Sequence, residues 1–225
     1  MIREPFGPNE WYHCYSRGVD KRITYERPKD YQRFIRLLYL SNSTESVHRN
    51  EIFSKSSQEI FNLDRGELLV SIGAYCLMPN HFHLLLRDES EEGWGISKFM
   101  QRVGTAYTMY FNTLNERAGN LFVKPFRSKH VADDRYLKRV AQYIHFNPIE
   151  LFEPGWKEGR VGNLAALEDT LRHYPFSSLP DYESGNLRLE SNILDAESVS
   201  LIKEDRLSLA ESLTEMREYY LSLAV

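Results

Sequence analysis

Residues 68–87 read LLVSIGAYCLMPNHFHLLLR. Val70, Ile72, Leu84, Leu85 and Leu86 have the character of buried strand. Met78-Pro79-Asn80 interrupts the run, because proline lacks a ladder donor and forces a bend. The stretch therefore predicts a long strand or hairpin over 67–87. Just past the bend stand His81, Phe82 and His83. Successive side chains on a strand point to opposite faces, so the two imidazoles share one face while Phe82 enters a core. Two imidazoles on one face can reach a single divalent cation. The same pair also reads as partly exposed strand histidines bonded to neighbouring backbone.

Working outward, the chain predicts alternating α and β elements. Upstream, WYHCYSRGV (11–19) alternates as a first strand, and Gly18 suits a turn. Asp30 is expected to cap a helix through YQRFIRLLYL, with Phe34, Leu37 and Leu38 along one stripe. Residues 41–66 are rich in Ser, Asn and Glu and read as a loop or short helix inserted before the next strand. Downstream, apolar residues at three- and four-residue intervals predict a helix from Ile96 to Arg117, ended by Ala118-Gly119. A short strand over 126–131 leads to an N-cap at Asp133 or Asp134. A second helix carries Tyr136, Leu137, Val140, Tyr143, Ile144 and Asn147 and closes at Pro148. Residues 149–185 read as irregular. The tail from Ala196 to Leu223 reads as an amphipathic helix through Val199, Ile202, Leu209, Leu213, Met216 and Tyr220.

With 225 residues, 42% of them hydrophobic, the chain has material for a sizeable core. It contains no run of eighteen apolar residues and no apolar leader, so a cytoplasmic location is expected and no membrane partner. Cys14 and Cys76 stand in no CxxC pair and are expected to be reduced core thiols. The net charge of −4 argues against a nucleic-acid partner until its distribution is considered. Residues 96–140 hold nine Lys or Arg against three acids, whereas residues 183–225 hold nine acids against four bases. A basic segment just after the histidine strand is what a phosphate backbone requires, since Lys and Arg contacts release condensed counterions. A solvated helix face has the same composition.

A second chemical element lies in RYLKRVAQYIHFNP (135–148). Tyr143 and Asn147 are four apart and share one helix face, about 6 Å from each other. The Asn147 amide oxygen is a suitable hard ligand beside two imidazoles, and the Tyr143 hydroxyl is a candidate nucleophile toward a bound phosphorus. Tyr136, Tyr107 and Tyr110 compete for that role, each equally readable as a packing residue. His145 falls on another face and reads as a surface or phosphate-contacting residue.

Five blocks in order resemble the single-tyrosine transposases of the HUH class, particularly the branch associated with repetitive extragenic palindromes. They are YHCYSRGVDKRITY (12–25), PNHFHLLL (79–86), YTMYFNTLNERAGNLF (107–122), FRSKHVADDRYLKRVAQYIHFNPIEL (126–151) and YPFSSLPDY (174–182). The resemblance implies an α+β fold: a ferredoxin-like sandwich with a mainly antiparallel sheet and helices on one face. To this the chain adds a C-terminal helical extension. It implies a transposase domain over 1–182, with 41–66 as an inserted polar segment and 183–225 as an acidic extension.

The resemblance also implies single-stranded or hairpin DNA as partner, cut and rejoined through a 5′-phosphotyrosine. It assigns the nucleophile to Tyr143 and a Mg²⁺ or Mn²⁺ site to His81, His83 and Asn147. Arg17, Arg102, Lys124, Arg127, Lys129 and Arg139 are expected to hold DNA, with Phe126, Tyr107 or Tyr110 stacking an unpaired base. Some relatives exchange the tyrosine helix between two subunits, so a homodimer is a further expectation. A water-using metal nuclease and a hairpin-binding protein without efficient chemistry are the alternatives. Three features depart from the family pattern: Lys124-Pro125-Phe126 where many relatives have Gly-Arg-Phe, the length of 41–66, and the acidic tail.

Overall fold

The computed structural model describes residues 5–45, 55–158, 160, 162–183, 188–204 and 206–223, the last four by backbone alone. The stretch 68–87 is a hairpin, β2 (Val70–Met78) and β3 (His81–Asp88), joined by the two residues Pro79 and Asn80. β1 (Trp11–Arg17) pairs antiparallel with β3 along its whole length, and β4 (Arg127–Val131) pairs antiparallel with β1. The sheet order is β2-β3-β1-β4. Alternation in β3 sends Phe82, Leu84 and Leu86 to one face and His81, His83 and Leu85 to the other. β2 switches parity at a bulge between Ile72 and Ala74, so Ile72 and Tyr75 enter the same core.

The first face carries α1 (Pro28–Leu40) and α3 (Gly95–Leu114), the pair expected of a ferredoxin-like sandwich. Asp30 is not the cap residue of α1 but its third residue. Arg27 precedes the helix, and the Asp30 carboxylate accepts the backbone N–H groups of Glu26 (3.1 Å) and Arg27 (2.9 Å). Pro28 takes the first helical position, where its missing N–H is no loss. Asn42 ties the end of α1 to β2: its Nδ2 donates to Val70 O, and its Oδ1 accepts from Leu69 N and Val70 N. Asp88, fully buried at the end of β3, accepts from Gly95 N and Ile96 N, so the last strand residue holds the start of α3.

The opposite face is covered as well, where the resemblance implied helices on one face. α4 (Asp134–Phe146) lays Leu137, Val140, Ala141 and Ile144 against Ala74, Cys76, Leu85 and Val131. Ile202 of α8 (Ala196–Lys203) joins them. These strand residues are apolar on both faces, and a sheet of that kind must be covered twice. Both cysteines are buried and unbridged.

The region expected to be irregular is largely helical. It contains α5 (Ile149–Phe152), a 3-10 turn at Trp156–Glu158, α6 (Leu164–Arg172) and α7 (Leu179–Glu183). The tail folds as α8 and α9 (Leu209–Leu223) rather than one helix, and the Tyr220 side chain lies outside the described residues. Leu209 and Leu213 of α9 meet Phe146, Ile149, Trp156, Leu167 and Leu171 in a third apolar cluster. Within the described part of 41–66 lies one short helix, α2 (Ser57–Phe61). No helix among the described residues is long and apolar enough to cross a membrane.

Two glycines of α3 give opposite expectations. A Cβ at Gly95 would stand 2.2 Å from Leu69 O and 2.8 Å from Asp88 Oδ1, whereas one at Gly104 would meet nothing within 4 Å. Gly95→Ala is expected to cost about 2 kcal/mol and to lower Tm by roughly 4–8 °C. Gly104→Ala should instead stabilise by about 0.5–1 kcal/mol, because alanine in a helix interior has less chain entropy to lose. Thermal unfolding of the two variants checks both signs.

Candidate active site

α4 begins where the Asp133 carboxylate accepts Tyr136 N at 2.8 Å, and it ends at Asn147, since the following Pro148 supplies no N–H. Its apolar stripe fixes its rotation, and that rotation carries Tyr143 over the histidine strand. The Tyr143 ring stands edge-on to His83 and to His13, 5.7 Å from each. Tyr143 remains half exposed. One turn on, the Asn147 side chain lines the same cleft as His81 and donates through Nδ2 to Tyr143 O at 2.8 Å. The tyrosine thus meets the histidines of its own chain.

Strand register assembles the floor. Arg17 faces His81, Tyr15 faces both His83 and Arg127, and His13 faces Lys129. The Nδ1 of each histidine of the pair is engaged. His81 Nδ1 meets Asn80 Oδ1 at 2.7 Å, and because Asn80 Nδ2 donates to Lys21 O, that oxygen can only accept. His81 therefore carries its proton on Nδ1, and Nε2 keeps a free lone pair. His83 Nδ1 meets His13 Nε2 at 2.8 Å.

Burial, reinforced by Arg17, pulls the His81 pKa down to about 4, with Glu150 and Asn147 opposing. Burial and then the neighbouring His13, His81 and Arg17 hold His83 well below its ordinary value. Both are neutral at physiological pH, as ligands must be. Among the described residues there is no group of three or more His, Cys, Asp or Glu that could hold a metal. A divalent cation here would draw on two neutral imidazoles and one carboxamide oxygen. Two nitrogens beside one oxygen suit an ion of Mn²⁺ character better than Mg²⁺, which prefers oxygen, and three protein donors leave further positions for water and phosphate.

The site opens into a cleft of about 420 Å³, walled by Tyr15, Arg17, Arg127, Tyr143, Asn147, Glu150 and Lys157. Sequence reasoning missed three of its participants. His13 was visible only as one residue of an alternating strand. Glu150 and Lys157, an ion pair, fall in the stretch read as irregular. Lys157 reaches the cleft because its neighbour Trp156 is anchored in the third apolar cluster.

The expected DNA contacts divide. Arg17 and Arg127 line the cleft, and Lys124 is exposed between Val123 and Pro125, which also line it. Lys129 lies over the Tyr136 ring, 5.1 Å from its centroid. Arg139 lines a separate hollow of about 160 Å³ with Lys138 and Arg206. Arg102 sits on α3, across the sheet, and donates to Ser43 O and Glu45 O.

The competing tyrosines separate as well. Tyr107 is fully buried and donates to Thr24 O (2.7 Å), while Tyr110 donates to Asp30 Oδ1 (2.7 Å), both on the far face. Neither is placed to stack a base, and Phe126 is stacked on Phe6. His145, expected at the surface, is buried against Ser178 Oγ (2.8 Å) and Tyr182.

A family model described as IS200-like transposase matches residues 31–147, more than half of the chain. The chain belongs to the IS200-like transposase family. The matched span ends on Asn147 and contains the hairpin, His81, His83 and Tyr143, while β1 with His13 and Arg17 lies before it. Among solved structures, that of a REP-associated tyrosine transposase bound to a REP hairpin is similar at 14% identity and a TM-score of 0.49. The match covers 84% of this chain and 89% of that one. No curated protein matches.

His145 makes stability depend on pH. Burial, and then the charge of Arg206, hold its pKa well below the ordinary value in the folded state. The unfolded chain takes up the proton first, near pH 6.5, so stability is full above that pH and falls below it. The expected slope is roughly 1.4 kcal/mol per pH unit for this one group. His145→Gln should flatten the loss between pH 6.5 and 5 by about that amount, as read by denaturant unfolding at several pH values.

Proposed function

We propose that this member of the family cleaves and rejoins single-stranded or hairpin DNA by transesterification at Tyr143. The Tyr143 Oη attacks the scissile phosphorus, the P–O3′ bond breaks, and the 3′ oxygen leaves as a hydroxyl after taking a proton. The 5′-phosphate stays on the tyrosine as a phosphodiester until a 3′-hydroxyl reverses the step. No nucleotide hydrolysis is needed, because the bond energy is conserved in the linkage.

The observation that carries this reading is the seat of Tyr143: a half-exposed phenol against His83, one turn from Asn147, in a cationic cleft. A phenol has an ordinary pKa near 10, so the charge of the cleft must favour its deprotonated form as it attacks. Arg17 and Arg127 supply positive charge from the protein and orient the phosphate backbone, the Lys157 charge being offset by its partner Glu150. Held by His81, His83 and Asn147, a divalent cation would supply charge neutralisation at the scissile phosphate.

Incubation with Mn²⁺ and labelled hairpin oligonucleotides, followed by denaturing electrophoresis, tests the nucleophile. An adduct that survives denaturation is expected from the unaltered protein and from Tyr136→Phe, with a loss of at least about 10³-fold in Tyr143→Phe. Cleavage that persists in Tyr143→Phe would instead mean attack by water. Binding without any cleavage would mean a hairpin-binding module.

The two groups of arginines should also differ in salt dependence. Arg127→Ala is expected to lower the slope of log affinity against log salt by about one, and Arg102→Ala to leave it unchanged. Titrations at four or more salt concentrations measure both slopes.

A further inference from the structure

We infer that His13 is a positioning residue: it accepts a hydrogen bond from His83 Nδ1–H and thereby turns the bare Nε2 of His83 into the cleft. This rests on the metal-site reading above and adds a residue to it. Three observations carry it. The contact is short, 2.8 Å between His13 Nε2 and His83 Nδ1, and both rings are buried, so this bond stands in place of water at those two nitrogens. The pair spans two strands, and the β1–β3 register holds it in place without help from a loop. The rings lie nearly parallel, at 27°, with Tyr143 edge-on to both.

The contact alone leaves the direction of the proton open, since either ring could donate. The charges around the pair act from both sides: Lys129, the register partner of His13, favours a bare His13 Nδ1, and the arginines of the cleft favour a bare His83 Nε2. If His13 donated, His83 would carry its proton on Nε2 and present an N–H to a cleft lined by the guanidinium groups of Arg17 and Arg127. If His83 donates, the cleft receives a lone pair, which that positive field favours. His81 is already fixed in the same tautomer by Asn80, so the two histidines would then face the cleft with matching acceptors. Such outer partners fix tautomer and ring angle, and their loss typically weakens metal affinity about 10- to 100-fold.

Two arms test this in the intact chain. Long-range ¹H–¹⁵N NMR of the metal-free protein at pH 7.5 reads the His83 tautomer directly. A protonated Nδ1 and bare Nε2 are expected, and the reverse assignment would overturn the proposal whether or not a metal binds. In the second arm, Mn²⁺ affinity is measured by electron paramagnetic resonance for the unaltered protein, His13→Leu and His13→Gln. A roughly 10- to 100-fold weakening in His13→Leu is expected. His13→Gln, whose amide oxygen can accept from Nδ1–H, should recover most of it. Equal affinity in the unaltered protein and His13→Leu, both with native unfolding transitions, would contradict the role. Absence of Mn²⁺ binding by the unaltered protein would instead count against the metal reading, leaving the tautomer result to decide on His13.

Discussion

The antiparallel pairing of β1 with β3 is the constraint on which the rest of the site depends. It sets Arg17 opposite His81 and Tyr15 opposite His83, and through the outer strand it brings Arg127 and Lys129 to the same face. A slip of one residue would send both histidines into the core and Phe82 into the cleft, so the alternation admits a single register. That register is held from the other side by Phe82, Leu84 and Leu86, which pack under α1 and α3. A core that needs those three residues inward places the imidazoles outward without further instruction.

The second face then has to be covered, and the helix that covers it brings the tyrosine. α4 docks through Leu137, Val140, Ala141 and Ile144, and this stripe determines where Tyr143 and Asn147 stand. Their position is thus a by-product of packing geometry, with the apolar face and the cleft-facing side of one helix about a quarter of a turn apart. Burial acts differently on the phenols. It pushes the Tyr31 and Tyr110 hydroxyls up to about 12, and those of Tyr107, Tyr174 and Tyr182 further still. Tyr143 stays half exposed at the rim, where substrate can reach it.

Local pattern made the hairpin, the histidine pair and the Tyr143/Asn147 helix legible in the sequence, because each is a matter of period within one element. The features that were not legible depend on which elements meet. His13 resembles any other strand residue until β1 is laid against β3. Arg102 resembles Arg127 until α3 and β4 are seen on different sides of the sheet. His145 reads as exposed because α4 alone gives no sign that Ser178 and Tyr182 will cover it. The segment 149–185 reads as irregular from its prolines and glycine, yet Trp156, Leu167 and Leu171 fold it into short helices by burial rather than by periodicity. Asp30 reads as a cap for a simpler reason: Pro28 starts the helix three residues ahead of Tyr31 and leaves Asp30 inside the first turn.

Tyr143 packs on the imidazoles of its own chain, which predicts a site built within one polypeptide. The most direct measurement is complementation in a mixture of two inactive variants, Tyr143→Phe and His81→Ala, assayed for DNA cleavage with Mn²⁺. If the site is built in one chain, the mixture stays as inactive as either variant alone. Cleavage restored toward a substantial fraction of the unaltered rate would mean that the tyrosine of one copy works on the histidines of another, and would contradict assembly within one chain.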